Sequence, residues 1–295
     1  MKFGVNCTFT DRSTMSPAEY GRAVEERGFD SIFLAEHTHI PVDERSPYPF
    51  GDRPASLHHT IDPFVALTAM AGTTHHLLLG TGIALVAQRD PITTAKLIAS
   101  LDLISRGRFI FGIGSGWNAE EMANHGGDPA RRGAIATEHV LAMKEIWHHD
   151  KAEFHGEFVD FDPIYSWPKP VQRPHPPVYV GGGEKAFARV VEVGDGWFPN
   201  PRSPDGLKPK IERLRELAGR EVPVTALHVG PARAEIVGGY EQAGVERIVF
   251  PLDTEAPDPL QDLDDLAALT AGPAADRAGS PAGARSDSVG TDGAA

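Results

Sequence analysis

The chain has little cysteine, a deficit of bases and no long apolar run. Cys7 is the lone cysteine in 295 residues, which excludes an internal disulfide framework and fits a reducing cytosol. No apolar stretch approaches the roughly 18 residues that span a bilayer. The opening residues Met1-Lys2-Phe3-Gly4-Val5-Asn6 begin as a strand and lack the apolar core and small-residue cleavage site of a signal peptide, so a cytoplasmic protein is expected. Lysine and arginine total 28 against 41 acids, a net charge of −13, which argues against a nucleic-acid surface. The deficit is uneven. From Asp253 onward there are nine acids and two bases, so about half the negative charge sits on the last helix and tail. A dinucleotide fingerprint, a nucleotide-triphosphate loop and a serine elbow are also missing.

Proline and glycine are plentiful and placed as punctuation. Ser16-Pro17-Ala18-Glu19, Asp62-Pro63 and Asp90-Pro91 each set a capping side chain before a first-turn proline, and the first is also a capping box. Gly28, Gly107, Gly194 and Gly244 each stand between a helical stretch and an apolar run, where glycine supplies the left-handed residue that stops a helix. These signals predict strands near 2–8, 31–35, 77–83, 109–113, 178–181, 196–199, 223–229 and 247–251. Helices are predicted near 17–27, 62–74, 91–105, 131–149, 184–194, 205–218, 231–243 and 258–270. The helix at 91–105 is expected to bury Leu97, Ile98, Leu101 and Ile104. The one near 131–149 is expected to bury Ile135, Val140, Met143, Ile146 and Trp147. Eight alternations point to a (β/α)8 barrel over residues 1–271, with an open doubly wound sheet as the alternative.

Two segments exceed the minimal barrel. His39 to Leu57 carries Pro47-Tyr48-Pro49-Phe50, and Glu153 to Pro177 carries Phe154, Phe158, Phe161, Tyr165 and Trp167. Both are expected as insertion loops over the C-terminal mouth, either as binding loops or as packing alone. Residues 272–295, with almost no large apolar side chain, read as a disordered tail.

The most informative stretch is Arg108-Phe109-Ile110-Phe111-Gly112-Ile113-Gly114-Ser115-Gly116-Trp117. A buried strand runs into a loop without bulk, followed by an indole. Glycine there admits a flat ligand against the main chain, or simply makes a tight turn with Trp117 as core filler. Gly80-Thr81-Gly82-Ile83 and Gly181-Gly182-Gly183-Glu184 repeat the pattern, and free amides at the second can hold a phosphate, aided by Lys169 or Arg173. Arg89 is an anion-binding candidate or a surface arginine. At the end of the second strand, His37 can orient or protonate a ligand, with Glu36 fixing its tautomer. His37 and His39 also have the spacing of a metal pair, but only Asp253 among the other strand ends is a ligand type, so no metal is assigned. The residues alone reach a barrel enzyme with a glycine-lined, aromatic-walled mouth for a planar, phosphate-bearing cofactor.

The pieces Glu36-His37-Thr38-His39-Ile40-Pro41, Leu79-Gly80-Thr81-Gly82-Ile83, Gln88-Arg89-Asp90-Pro91, Gly107 through Asn118, Trp167-Pro168-Lys169-Pro170-Val171-Gln172 and Gly181-Gly182-Gly183 occur in an order that resembles the luciferase-like monooxygenase superfamily, in particular its coenzyme F420-dependent oxidoreductase branch. The resemblance implies a (β/α)8 barrel, a ring-shaped cofactor at the C-terminal mouth and a non-proline cis peptide at or near Gly82-Ile83. It implies cofactor contacts at Gly82, Ile83, Ser115, Gly116, Gly182 and Gly183, and a catalytic histidine at His37. Trp117 is counted with the cofactor-binding residues; it stands where some F420 dehydrogenases carry a glutamate, so it is expected to wall the substrate side of the ring. The implied activity is hydride transfer between F420 and a small organic molecule. The alternatives are an FMN-dependent monooxygenase fed by a separate reductase, a metal hydrolase using His37 and His39, and a cofactor-binding protein without turnover. A homodimer is the assembly the resemblance implies.

Overall fold

The structure, a computed structural model, describes residues 1–43 and 45–271; the predicted disordered tail lies outside the described residues. Eight parallel strands follow in chain order: β1 (Lys2–Cys7), β2 (Ser31–Leu34), β3 (Leu78–Thr81), β4 (Phe109–Gly114), β5 (Val178–Gly181), β6 (Gly196–Phe198), β7 (Thr225–Leu227) and β8 (Arg247–Pro251). Each pairs with its successor from β1 to β6, β7 pairs with β8, and β8 pairs with β1. Between β6 and β7 the ladder shrinks to a Trp197–Val224 bridge with bonds from Trp197 N to Pro223 O (3.0 Å) and Leu227 N to Pro199 O (2.9 Å). Pairing of the last strand with the first makes this a (β/α)8 barrel and removes the open-sheet alternative.

The helices are α1 (Pro17–Glu26), α2 (Pro63–Ala71), α3 (Pro91–Ser105), α4 (Ala119–Asn124), α5 (Arg132–His148), α6 (Phe187–Val193), α7 (Leu207–Ala218), α8 (Glu235–Ala243) and α9 (Pro259–Thr270). The predicted caps form. Ser16 accepts from Glu19 N while Glu19 reaches back, Asp62 accepts from Phe64 N and Val65 N, and Asp90 accepts from Thr93 N. Gly28, Gly107 and Gly244 have positive φ as expected, but Gly194 is extended at φ −92°, and the left-handed cap of α3 is Arg106. On α3, Ile98 and Leu101 are buried but Ile104 is 49% exposed; Ala95, Asp102 and Ser105 complete the buried stripe instead. Asp102 can lie there because Val171 N, Gln172 N and the Gln172 amide bind its carboxylate. On α5 all five expected side chains are buried.

Two apolar layers result. The larger packs the outer faces of the strands against the helices. The smaller fills the barrel with Phe33, Ile110, Tyr179, Phe198 and Val249. A side chain at Gly80 would overlap the Phe33 ring, so the glycine makes room for the aromatic that plugs the interior. Each such buried aromatic contributes roughly 1.5–3 kcal/mol.

The two long insertions have different fates. Tyr48, Pro49, Phe50 and Leu57 from the first line the mouth, as expected. The second is an antiparallel hairpin, Lys151–His155 with Asp160–Tyr165, which follows a helix and not a strand end. It doubles back along α5, where Glu138 accepts from Val159 N and Arg131 pairs with Glu157. None of its residues lines the mouth, so the expectation of a second lid is corrected. Among the described residues no helix is long and apolar enough to cross a membrane.

Candidate active site

The strand ends enclose a cavity of about 560 Å3 at the C-terminal mouth. On one side its wall is mostly main chain. β3 delivers Gly82 and Ile83, joined by the implied cis peptide; β4 delivers Gly114, Ser115 and Gly116; β5 delivers Gly181 and Gly182. Asn6 Nδ2 donates to Phe33 O (3.1 Å) and Gly82 O (3.3 Å), fixing the β3 end from inside the barrel. A Cβ on Gly82 would come within 2.8 Å of both Asn6 Nδ2 and Phe33 Cβ, so no larger residue fits this floor. Gly116 adopts φ +75°, which lays the loop back over Leu85. This bare, partly concave wall fits a planar ring, and the amides around Ser115 and Gly182 offer it donors.

The other side is built around His37. Its ring is buried, and Nδ1 lies 2.8 Å from Glu121 Oε2. Trp117 Nε1 donates to His37 Nε2 over 3.3 Å. An indole N–H can only donate, so Nε2 is the acceptor and the proton sits on Nδ1, pointing at the carboxylate. Glu121 is fully buried and also accepts from Thr38 N (3.0 Å). It is aimed there by α4, whose N-cap Asn118 accepts from Glu121 N (3.0 Å). Trp117 stands edge-on to His37 and to Tyr48, and Tyr48 meets Phe50 likewise, so the aromatic wall runs from the dyad up into the insertion loop. Burial pushes the Tyr48 phenol above its usual range.

The expected role of Glu36 is therefore corrected. Glu36 is in the cavity lining, but its carboxylate accepts from Leu85 N (2.6 Å) and from Arg89 Nε (2.6 Å), and the tautomer of His37 is set by Glu121. Both lie in the loop beyond β2 and turn to different partners, Glu36 to Leu85 and Arg89, His37 to Glu121 and Trp117. Arg89 is neither a surface arginine nor an anion site. It is held by Glu36 and Asp62 and lies 4.6 Å from the Phe64 ring centroid. Lys169 lies beneath the barrel, with Nζ 2.6 Å from the carbonyls of Ile146 and His149. It and Arg173 precede β5, whereas Gly182-Gly183 follows it, so neither can assist there. Gly183 is outside the cavity lining. His39 turns from His37 to Thr38 and Asn124. Among the described residues no group of three or more His, Cys, Asp or Glu is placed to hold a metal. Sequence reading missed Glu121, together with Thr8 and Asn200 in the lining. Its signal was present: an acidic residue in a first turn beside a Gly-Trp loop, which reads locally as nothing more than helix capping.

The arrangement pairs a bare slot with a histidine in the cavity lining whose Nε2 is engaged only by the long bond from Trp117. Residues 1–263 match the model of the luciferase-like monooxygenase family. An uncharacterised protein of Mycobacterium tuberculosis is 39% identical over 285 residues, covering 92% of this chain and 99% of its own length. The FMNH2-dependent dimethylsulfone monooxygenase of Pseudomonas putida is 31% identical over 170 residues, 56% of this chain and 42% of that protein. An F420-dependent secondary alcohol dehydrogenase, solved with an F420-acetone adduct, superposes with a TM-score of 0.72 at 19% identity, over 91% of this chain and 98% of that one. Fold and sequence agree, and the chain belongs to the luciferase-like monooxygenase family; the proteins it resembles include an FMNH2-dependent monooxygenase by sequence and an F420-dependent dehydrogenase by fold.

Proposed function

We propose that this chain is an F420-dependent oxidoreductase that moves a hydride between the deazaflavin and a small molecule bearing a hydroxyl or carbonyl group. The observation that carries the reading is the Glu121–His37 pair beside the glycine-walled slot. Gly82, Ile83, Ser115, Gly116 and Gly182 are the residues that would hold the ring, which when bound supplies the hydride chemistry. The protein's part is the proton. In the oxidative direction His37 Nε2 takes the proton of the substrate hydroxyl as the hydride leaves its carbon, and Glu121 stabilises the imidazolium through Nδ1–H. In the reverse direction Nε2–H returns that proton to the nascent alkoxide. The substrate oxygen must displace Trp117 from Nε2, and the length of that bond makes the exchange easy.

The alignment with the dimethylsulfone monooxygenase supports a second reading, an FMN-dependent oxygenase. Titration of the purified chain separates them. The first reading expects saturable binding of F420 at one site per chain, seen as altered fluorescence, with much weaker binding of FMN. Preferential binding of FMN, or of neither, overturns it.

A further inference from the structure

The cavity has two unlike halves. Toward β3, β4 and β5 it is walled by glycine main chain; toward the remaining strands it is walled by side chains, among them Thr8, His37, Asn200, Leu227 and Val229, under the aromatic pair Tyr48 and Phe50. No lysine or arginine is among the lining residues. Arg89 is held by Glu36 and Asp62, and Arg202 and Arg233 in the loops after β6 and β7 are exposed and outside the lining. Glu36 in the lining is already paired with Arg89, and the carboxylate behind His37 is that of the fully buried Glu121. An anionic group in this half would lose its hydration, meet no cation and face that carboxylate. A neutral hydroxyl or carbonyl meets no such penalty. The Thr8 hydroxyl and the Asn200 amide have no hydrogen-bond partner for their side chains among the described residues. β2 and β6 stand on opposite sides of the barrel, so Asn200, just after β6, faces His37 across the mouth.

We infer that the side-chain half of the cavity receives an uncharged, mainly apolar molecule with a single oxygen function, held between His37 and neutral donors, and rejects anions. The inference rests on the oxidoreductase reading, because that reading assigns the glycine half to the cofactor.

The test uses matched probes: cyclohexanone and acetophenone against oxocyclohexanecarboxylate and acetylbenzoate, measured by calorimetry on the chain with and without bound F420. F420 binding is recorded separately, so its failure sinks the functional reading while the panel on the unloaded chain still decides this one. The neutral members are expected to bind at least about tenfold more tightly than their carboxylates. The variant Val229→Arg, which places a cation in the lining, is expected to raise carboxylate affinity and leave the neutral probes weakened or unchanged. Equal or tighter binding of the carboxylates by the parent chain, or failure of both neutral probes to bind in either state, overturns the inference whether or not the variant folds.

Discussion

Replacing the Glu121 carboxylate by an amide keeps its shape, but the Thr38 N–H claims the remaining oxygen and the NH2 donor is turned toward His37 Nδ1. Glu121→Gln is therefore expected to lower kcat/KM by about a hundredfold or more, with F420 affinity little changed, because the wrong tautomer is then favoured. Adding His37→Gln to that variant should cost little further, since the two act as one unit; steady-state kinetics of the single and double variants check this. Glu36→Gln belongs to a different account. It leaves the half-buried Arg89 with Asp62 as its carboxylate partner, so the loss falls on stability, about 1–3 kcal/mol, measured by denaturant unfolding. Two adjacent carboxylate and imidazole residues in sequence thus have separate physical roles, Glu36 anchoring Arg89 and Leu85 N and His37 pairing with Glu121.

At the scale of elements, the β4–α4 loop is where geometry and chemistry meet. Gly116→Ala places a Cβ 3.2 Å from Leu85 Cδ2 at φ +75° and narrows the slot. The expected result is about 1 kcal/mol of lost stability and roughly tenfold weaker F420 binding, read from thermal melts and fluorescence titration. Most elements were legible in the chain because their ends carry chemistry of their own: Asp-Pro and Ser-Pro starts, glycine stops, and short β-rich runs between. The slot was legible for the same reason, since glycine at strand ends has few other uses. The hairpin Lys151–His155 with Asp160–Tyr165 was not. Its Asp162-Pro163 step and scattered aromatics carry loop composition, and its strands pair locally on the outside of α5. The partner of His37 was not legible either, because 84 residues separate them and only the closed barrel brings α4 beside the end of β2.

The whole molecule carries a pH dependence set by histidines that are not among the cavity-lining residues. Burial lowers the pKa of His175 and of His228 from the ordinary 6.5. His228 donates Nε2–H to Pro231 O (3.1 Å), and its Nδ1 lies 2.8 Å from the Tyr240 hydroxyl, which can donate to the neutral ring. Below pH 6.5 the unfolded chain takes up protons that these folded rings resist, so the unfolded state binds more protons and stability falls as the solution is acidified. Melting temperature measured downward from neutral pH is expected to drop through that window, and His228→Gln is expected to flatten the drop.

Of the eight joints between neighbouring strands, the one between β6 and β7 is stitched most thinly. The amides of Trp197 and Leu227 should accordingly take up deuterium well before those shared by β1 and β2. Asn200 and Val229 rise from the two edges of this seam, so a barrel that breathes at all will do so by parting there, and a bound guest that touches both edges will act as its clasp.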